Sequence, residues 1–163
     1  MNKIQQALRD QIYDTVKNIK KHNVGEILNW TLRNQVAKYS LANDYYYTTL
    51  KTINHLKKLS LDISNRGIKN KKNLITYEHP IPSKIVSLEL LKNPNLEHIN
   101  HILQITDKVV ILTHEENTLF KKHLLNSKMP NDWKFGDDIF ARYKAVGIEV
   151  LKEKIKMYGA IKR

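Results

Sequence analysis

The sequence contains no cysteine among its 163 residues, and it has only five glycines and four prolines. Without cysteine the chain can form neither a disulfide nor a thiolate zinc site, and this fits a reducing compartment. Because the glycines are scattered, there is no glycine-rich phosphate loop, and we do not expect an enzyme that uses ATP or GTP. A serine nucleophile elbow is also missing, which argues against serine hydrolase chemistry.

Long hydrophobic runs are missing as well. No segment approaches the roughly 20 apolar residues of a membrane span. Residues 1–21 mix charged and apolar side chains at helical spacing, unlike a signal peptide. We therefore expect an intracellular, cytoplasmic protein with no membrane partner. The length and the 41% hydrophobic content predict a single domain over residues 1–163, helical over 1–65 and mixed α/β over 66–163.

Acidic residues are scarce relative to basic ones. The chain has 28 Lys and Arg against 16 Asp and Glu, a formal net charge of +12. Residues 1–73 hold 14 basic and 5 acidic residues, whereas residues 74–163 hold 14 and 11. Such an excess attracts polyanions, so nucleic acid is the predicted partner, DNA in preference to RNA. An AT-rich coding bias toward lysine, and a basic face that is merely solvated, stay open as alternatives. A homodimer is compatible with the sequence.

The spacing of apolar residues predicts a predominantly helical α+β fold, with an N-terminal three-helix layer followed by a small β element with flanking helices. The first helix carries a stripe from Ile4 to Ile19, and the second runs from about Gly25 to Ala42. The third begins near Asp44 and ends at Gly67. The run Tyr45-Tyr46-Tyr47 falls on this third helix, where it either packs in the core with one edge exposed or stacks on a base.

A cation-rich loop comes next, and it leads into a strand. Residues 66–73 contain four cations and no acid, and they precede the β-prone segment 74–77. Such a loop can lay its cations along phosphates, with a solvated connector as the alternative. The candidate nucleic-acid-binding residues are Arg66, Lys69, Lys71, Lys72 and Lys84. A second apolar run at 109–112 completes a small sheet, which we expect to bring Glu78 and His114 near the same strand ends.

The segment Glu78-His79-Pro80-Ile81-Pro82-Ser83 resembles the first motif of HNH nucleases of the His-Me finger superfamily. The resemblance implies a DNA endonuclease that hydrolyses phosphodiester bonds with a divalent metal, Mg²⁺ or Mn²⁺. In that family the histidine is the general base, the adjacent acid binds the metal and a later histidine completes the metal site. This implies His79 as base and Glu78 and His114 as metal ligands. The asparagine that orients the base would be Asn95, with Asn93 and Asn100 as alternatives.

Several other interpretations compete with the nuclease. His98 and His101 stand three apart on a predicted helix and form a rival metal pair, unless one packs and the other is solvated. Arg142 and Tyr143 could touch a phosphate or a base, but a packed tyrosine and a surface ion pair are favoured. At the level of function, a non-catalytic nucleic-acid adaptor of phage or mobile-element type, or an inhibitor-like protein that binds another protein, fits the composition too.

Overall fold

The computed structural model describes residues 1–22, 25–70 and 74–158, and of residues 25–28 and 69–70 it describes the backbone alone. The predicted fold class is confirmed, since the chain is a predominantly helical α+β protein with one small sheet. The elements in chain order are α1 Lys3–His22, α2 Gly25–Leu41, β1 Tyr45–Thr48, α3 Leu50–Lys58, a 3-10 helix Arg66–Asn70, β2 Ile75–Glu78, α4 Ser83–Leu90, α5 Leu96–Thr106, β3 Val110–Thr113, α6 His114–Lys122, α7 Ala141–Ala145 and β4 Ile155–Lys156. None of the described helices has the length and apolar character needed to cross a membrane.

The chain divides into two compact units, each made of two separate stretches of sequence. The first unit comprises residues 1–43 and 81–107, and the second comprises residues 44–80 and 108–163. The boundary that the sequence suggested at residue 65 therefore coincides with neither unit. Each unit has buried side chains and hydrogen bonds of its own.

The first unit contains α1, α2, α4 and α5. Helix α1 packs against α2 and α5, while α4 packs against α2 and α5, so the four helices close around one core. The predicted stripe on α1 is confirmed over most of its length, with Ile12, Val16 and Ile19 buried, but Ile4 at its start is exposed. The burial of such a stripe supplies most of the stability of an amphipathic helix.

Polar side chains close the ends of helices in this unit. The backbone N–H of Gln5 donates to Asn2 Oδ1 at 2.9 Å, and Gln5 Oε1 accepts from the Asn2 N–H at 3.2 Å. This reciprocal pair satisfies two of the N–H groups that every helix start leaves unpaired. At the C-terminal end of α2, Ser40 Oγ donates to the carbonyl of Thr106 at 3.2 Å, which ties α2 to α5.

The second unit contains the sheet, in which the strands lie in the order β2-β3-β1-β4. Strand β3 is central, antiparallel to β2 and parallel to β1, and all four of its residues are buried. Strand β4 pairs antiparallel with β1 and forms one edge. The predicted pairing of the two apolar runs is therefore confirmed, but β1 and β4 were not predicted.

The predicted third helix is wrong at both ends. Residues 45–48 form strand β1, and the helix begins only at Leu50, where Thr49 caps it by accepting from the Thr52 N–H at 3.0 Å. It ends at Lys58, and Gly67 lies inside the 3-10 helix. Aromatic residues favour strands, and the neighbours that turn this run into one lie more than 60 residues away in β3 and β4.

Helices α6 and α7 cover the sheet with an apolar cluster. Val110 and Leu112 of β3 pack with Phe120, Tyr143 and Ile148, and the rings of Phe120 and Tyr143 meet edge to face at 4.9 Å. Helix α7 ends in a Schellman motif, because the N–H of Ile148 donates to the carbonyl of Tyr143 at 2.9 Å across Gly147, whose φ is +73°. This turn fixes the end of the helix that carries Arg142.

Candidate nucleic-acid interface

Glu78, the expected metal ligand, is paired with a buried arginine. It is the last residue of β2, and its carboxylate Oε1 accepts a hydrogen bond from Nη2 of Arg142. Arg142 is fully buried and also donates to the carbonyls of Pro80 at 2.8 Å, Leu125 at 3.0 Å and His79. The ion pair expected at the surface is therefore half-buried, with 22% of the Glu78 side chain exposed, and the idea that Arg142 or Tyr143 touches a ligand is wrong because these two side chains are enclosed.

The register of β2 against β3 separates Glu78 from His114. Glu78 lies opposite Val110, and Thr113, the residue before His114, lies opposite Ile75. Val110 and Thr113 are three residues apart, which is roughly 10 Å at 3.3 Å per residue. The expectation that Glu78 and His114 share strand ends is therefore wrong, because an antiparallel pair places the end of one strand beside the start of the other.

The remaining members of the expected site have other surroundings. The Thr113–Glu116 capping box is confirmed, and it leaves His114 exposed at the first position of α6. Asn95 lies in the first unit, where its side chain caps α5 by accepting from the His98 N–H at 2.7 Å. His98 Nε2 is 3.1 Å from the carbonyl oxygen of Glu89, whereas His101 is exposed.

These residues do not fit a shared divalent metal. A metal ligand needs a free lone pair within about 2–2.6 Å of the ion, whereas Glu78 faces a guanidinium and His114 lies at the opposite end of the ladder. Within the described ranges no group of three or more His, Asp or Glu side chains is arranged to hold an ion. The donor set that the HNH resemblance implies is therefore not assembled by this fold.

Arg66 acts inside the fold of the second unit. Its Nη1 donates to the hydroxyl of Tyr46 at 2.8 Å, its guanidinium lies 5.0 Å from the Tyr46 ring centre, and Asp44 is 3.9 Å from Nη2. Burial raises the pKa of Tyr46 far above its usual value near 10, although Arg66 opposes this. The Arg66 side chain is only 9% exposed and already has partners within the fold, and its role as a phosphate contact stays a prediction.

The other predicted phosphate contacts are four lysines, which lie in different parts of the chain. Lys84 is exposed on α4 of the first unit. Lys69 lies on the 3-10 helix, but its side chain, and the whole of Lys71 and Lys72, fall outside the described residues. Those three stay predictions.

The positive charge is concentrated in the second unit. That unit contains 19 Lys and Arg residues and 10 Asp and Glu residues, a net charge of +9, whereas the first unit contains 9 and 6, a net charge of +3. The linear division at residue 73 had placed the excess in the helical first part. The fold changes this because α1 and α2 belong to the weakly charged unit, while the lysine-rich segment near the C-terminus joins the sheet.

That segment runs beside β1 and carries alternating lysines. The N–H of Leu151 donates to the carbonyl of Thr48 at 2.9 Å, and the N–H of Met157 donates to the carbonyl of Asp44 at 2.8 Å. Between these bonds, Lys152, Lys154 and Lys156 are all exposed. None of the three is in an ion pair within the part of the chain that the structure describes. Glu153, also exposed, is the one acid among them.

Three tyrosines lie close to these lysines; two of them are exposed, and the third, Tyr47, is half-buried against Phe140. Tyr45 lies opposite Lys156 in the β1–β4 pair, and it is 47% exposed while Tyr46, on the opposite face, is 1% exposed. Lys154 Nζ is 5.1 Å from the ring centre of Tyr47, and Lys156 Nζ is 5.9 Å from that of Tyr158. We call this set the tyrosine–lysine surface; its members are Tyr45, Tyr47, Lys154, Lys156 and Tyr158.

The backbone of Tyr158 is fixed although its ring is 59% exposed. Its N–H donates to the carbonyl of Ser64 at 2.8 Å, and its carbonyl accepts from the N–H of Arg66 at 3.2 Å. Tyr158 is thereby held next to Arg66, the first residue of the 3-10 helix.

The sequence contains a signal for this surface, and the helical interpretation of residues 45–47 obscured one part of it. Lys154, Lys156 and Tyr158 alternate with Ile155 and Met157, which is the period of a strand with one solvated face. The segment Tyr45–Thr48 has the composition of a strand as well.

Searches of protein-family profiles, of curated proteins and of solved structures found no match to this chain. The function is therefore inferred from the geometry and charge of the chain itself.

Proposed function

We propose that this protein binds nucleic acid, without catalysing its hydrolysis, through the tyrosine–lysine surface of its second unit. The observation that carries the proposal is the row of exposed lysines, without ion pairs among the described residues, beside exposed tyrosines on the unit whose net charge is +9. Lysines of this kind bind phosphates by displacing condensed counterions.

Hydrogen bonds fix the exposed Tyr158 within this surface. Its N–H donates to the carbonyl of Ser64 and its carbonyl accepts from the N–H of Arg66. In the sequence, the predicted phosphate contacts Lys69, Lys71 and Lys72 follow Arg66 within six residues.

We do not propose hydrolysis, because the expected chemical groups have other roles. Glu78 neutralises Arg142, and His114 is remote from it along the ladder. If the Glu78 carboxylate left Arg142 to bind a metal, the guanidinium would remain unpaired in the protein interior. Such an unpaired buried charge costs several kcal/mol.

A binding measurement with charge-matched variants tests the proposal. Fluorescence anisotropy of a labelled oligonucleotide is compared for the wild type, for Lys152→Gln/Lys154→Gln/Lys156→Gln, and for Lys3→Gln/Lys20→Gln/Lys21→Gln. The three control lysines are exposed on α1 of the first unit, so both variants lose the same charge.

We expect Lys152→Gln/Lys154→Gln/Lys156→Gln to bind at least roughly tenfold more weakly than the wild type at low salt, because it loses three cations that displace counterions from the phosphates. The α1 variant should change the affinity by less than threefold. Equal losses in both variants would mean that only net charge matters, and no binding by the wild type would exclude a nucleic-acid function.

A further inference from the structure

We infer that the tyrosine–lysine surface selects single-stranded nucleic acid, with bases stacked on Tyr45 and Tyr158 and phosphates bound by Lys154 and Lys156. This rests on the proposed function and specifies its ligand class.

Two rings of this surface are unusually open to solvent. Tyr45 and Tyr158 are 47% and 59% exposed, although aromatic rings of this size are usually covered. Their backbones are held by the β1–β4 pairing and by the hydrogen bonds to Ser64 and Arg66. Rings that are exposed on a fixed backbone lose little conformational entropy when a flat ligand binds to them.

Each of the two exposed tyrosine rings on this surface has a lysine beside it. Lys156 is the cross-strand partner of Tyr45 and reaches toward Tyr158, so a cation lies beside each of the two exposed rings. Directly opposed residues in an antiparallel pair have Cβ atoms about 5 Å apart. Bases on the rings and phosphates on the lysines can thus be bound by one continuous strand, as in other proteins that combine stacking residues with basic grooves.

Exposed rings distinguish single strands from duplexes. In a double helix the faces of the bases are covered by their neighbours, so an exposed tyrosine ring has no base face to contact. Lysines alone bind both forms. The exposed rings therefore confer a preference for unpaired bases, and they do so for DNA and RNA alike because every base has a π-face.

An acidic protein surface is the competing ligand class, since it too would bind lysines. It would gain little from the rings of Tyr45 and Tyr158, because carboxylates do not stack on them. The loss of affinity when the ring of Tyr45 or Tyr158 is removed therefore distinguishes nucleic acid from an acidic protein surface as the ligand.

The test uses the full chain and four probes of defined chemistry. These are a labelled single-stranded DNA of about 12 nucleotides, within the range of known single-strand sites, an RNA of the same sequence, the corresponding DNA duplex, and poly-glutamate. The variants are Tyr45→Ala, Tyr158→Ala, Tyr45→Phe and Tyr158→Phe. Trp30→Ala is the control, because Trp30 is an exposed aromatic residue, 69% exposed, on α2 of the first unit. Circular dichroism verifies that each variant is folded.

We expect each alanine variant to weaken binding of the single strands about tenfold, as stacking on one aromatic ring predicts. The phenylalanine variants should stay within twofold of the wild type because the ring is retained, and Trp30→Ala should have no effect. Comparison of the DNA with the RNA shows whether the sugar contributes.

Two results would overturn the inference. If the duplex and the single strand bind equally and the alanine variants bind normally, while the triple lysine variant is weakened, then the proposed function holds and the preference for single strands does not. If poly-glutamate binds as tightly as the oligonucleotides, or if no oligonucleotide binds, then the proposed function fails as well.

Discussion

Arg142, which is fully buried, and Glu78, which is half-buried, form an ion pair that joins helix α7 to the end of strand β2; the two residues are 64 positions apart in the sequence. The guanidinium is fully buried and binds three backbone carbonyls in addition to the carboxylate. A guanidinium cannot lose its charge in a protein, so the carboxylate and the carbonyls have to compensate for it. This pair gives the acid at the end of β2 a structural role, as the partner of a buried guanidinium.

The Arg142–Glu78 pair should contribute strongly to stability. Replacing Arg142 by alanine leaves Glu78 and three carbonyls without their donor, so we expect the free energy of unfolding to fall by about 3–5 kcal/mol. Lys144→Ala is the matched control on the same helix, because its pair with Asp138 is exposed and worth less than about 1 kcal/mol. Urea denaturation measures both, and equal losses would contradict the assigned role of Arg142.

Glu116 is 5% exposed and links α3 to the start of α6. Its Oε2 accepts hydrogen bonds from Thr52 Oγ1, Thr113 Oγ1 and the Thr113 N–H, at 3.0, 2.9 and 3.0 Å. Glu116→Ala should lower the stability by about 1–3 kcal/mol because buried donors lose their acceptor. The neighbouring Glu115→Ala removes an exposed pair with Lys51, which solvent screens, and should lower the stability much less than Glu116→Ala. Thermal unfolding of the two variants distinguishes them, and equal losses would refute the role of Glu116.

Asp138 should make stability depend on acid pH. The pKa of Asp138 is lowered, first because Lys144 donates a hydrogen bond to its carboxylate and second because the Phe140 N–H does. A lowered pKa in the folded state means that this group stabilises the fold above its unfolded pKa of about 3.9 and loses that contribution as the pH falls through the folded value. Carboxyl NMR titration should find the Asp138 pKa below about 3.9 and shifted upward in Lys144→Ala. An unchanged value in that variant would contradict the assignment.

Cleavage of DNA, which the resemblance to HNH nucleases implied, should not occur. Because Glu78 is paired with Arg142 and the β2–β3 register separates it from His114, we expect plasmid DNA to stay intact when incubated with the protein and Mg²⁺ or Mn²⁺. His79→Ala serves as the comparison. Nicking by the wild type that disappears in His79→Ala would establish the nuclease and refute the non-catalytic proposal.

The parts of the fold that local patterns determine could be predicted from the sequence. The stripe Ile12, Val16 and Ile19, the apolar run of β3 and the Thr113–Glu116 capping box all depend on residues within a few positions of one another. Helical periodicity and capping are local properties, so they can be read without knowledge of the fold.

The parts that failed depend on distant partners. Helical spacing is shared by four apolar residues of the predicted third helix, Tyr46, Leu50, Ile53 and Leu56. Residues 45–48 nevertheless form a strand, because they pair with β3 and β4. Strand β4 pairs over two residues only, and the alternation around it is too short to identify a strand on its own. The pairing of Glu78 with Arg142 was equally invisible, because the sequence does not indicate which of many cations a given acid meets.

The most direct test of the central claim is the salt dependence of single-strand binding. For single strands, the slope of log K against log salt changes by about 0.7 for each phosphate contact. We predict a steep negative slope for the wild type, a slope shallower by about 2 for Lys152→Gln/Lys154→Gln/Lys156→Gln, and no change in slope for Tyr45→Ala despite its weaker affinity. A slope near zero for the wild type, or identical slopes for the wild type and the triple lysine variant, would contradict the assignment of this surface.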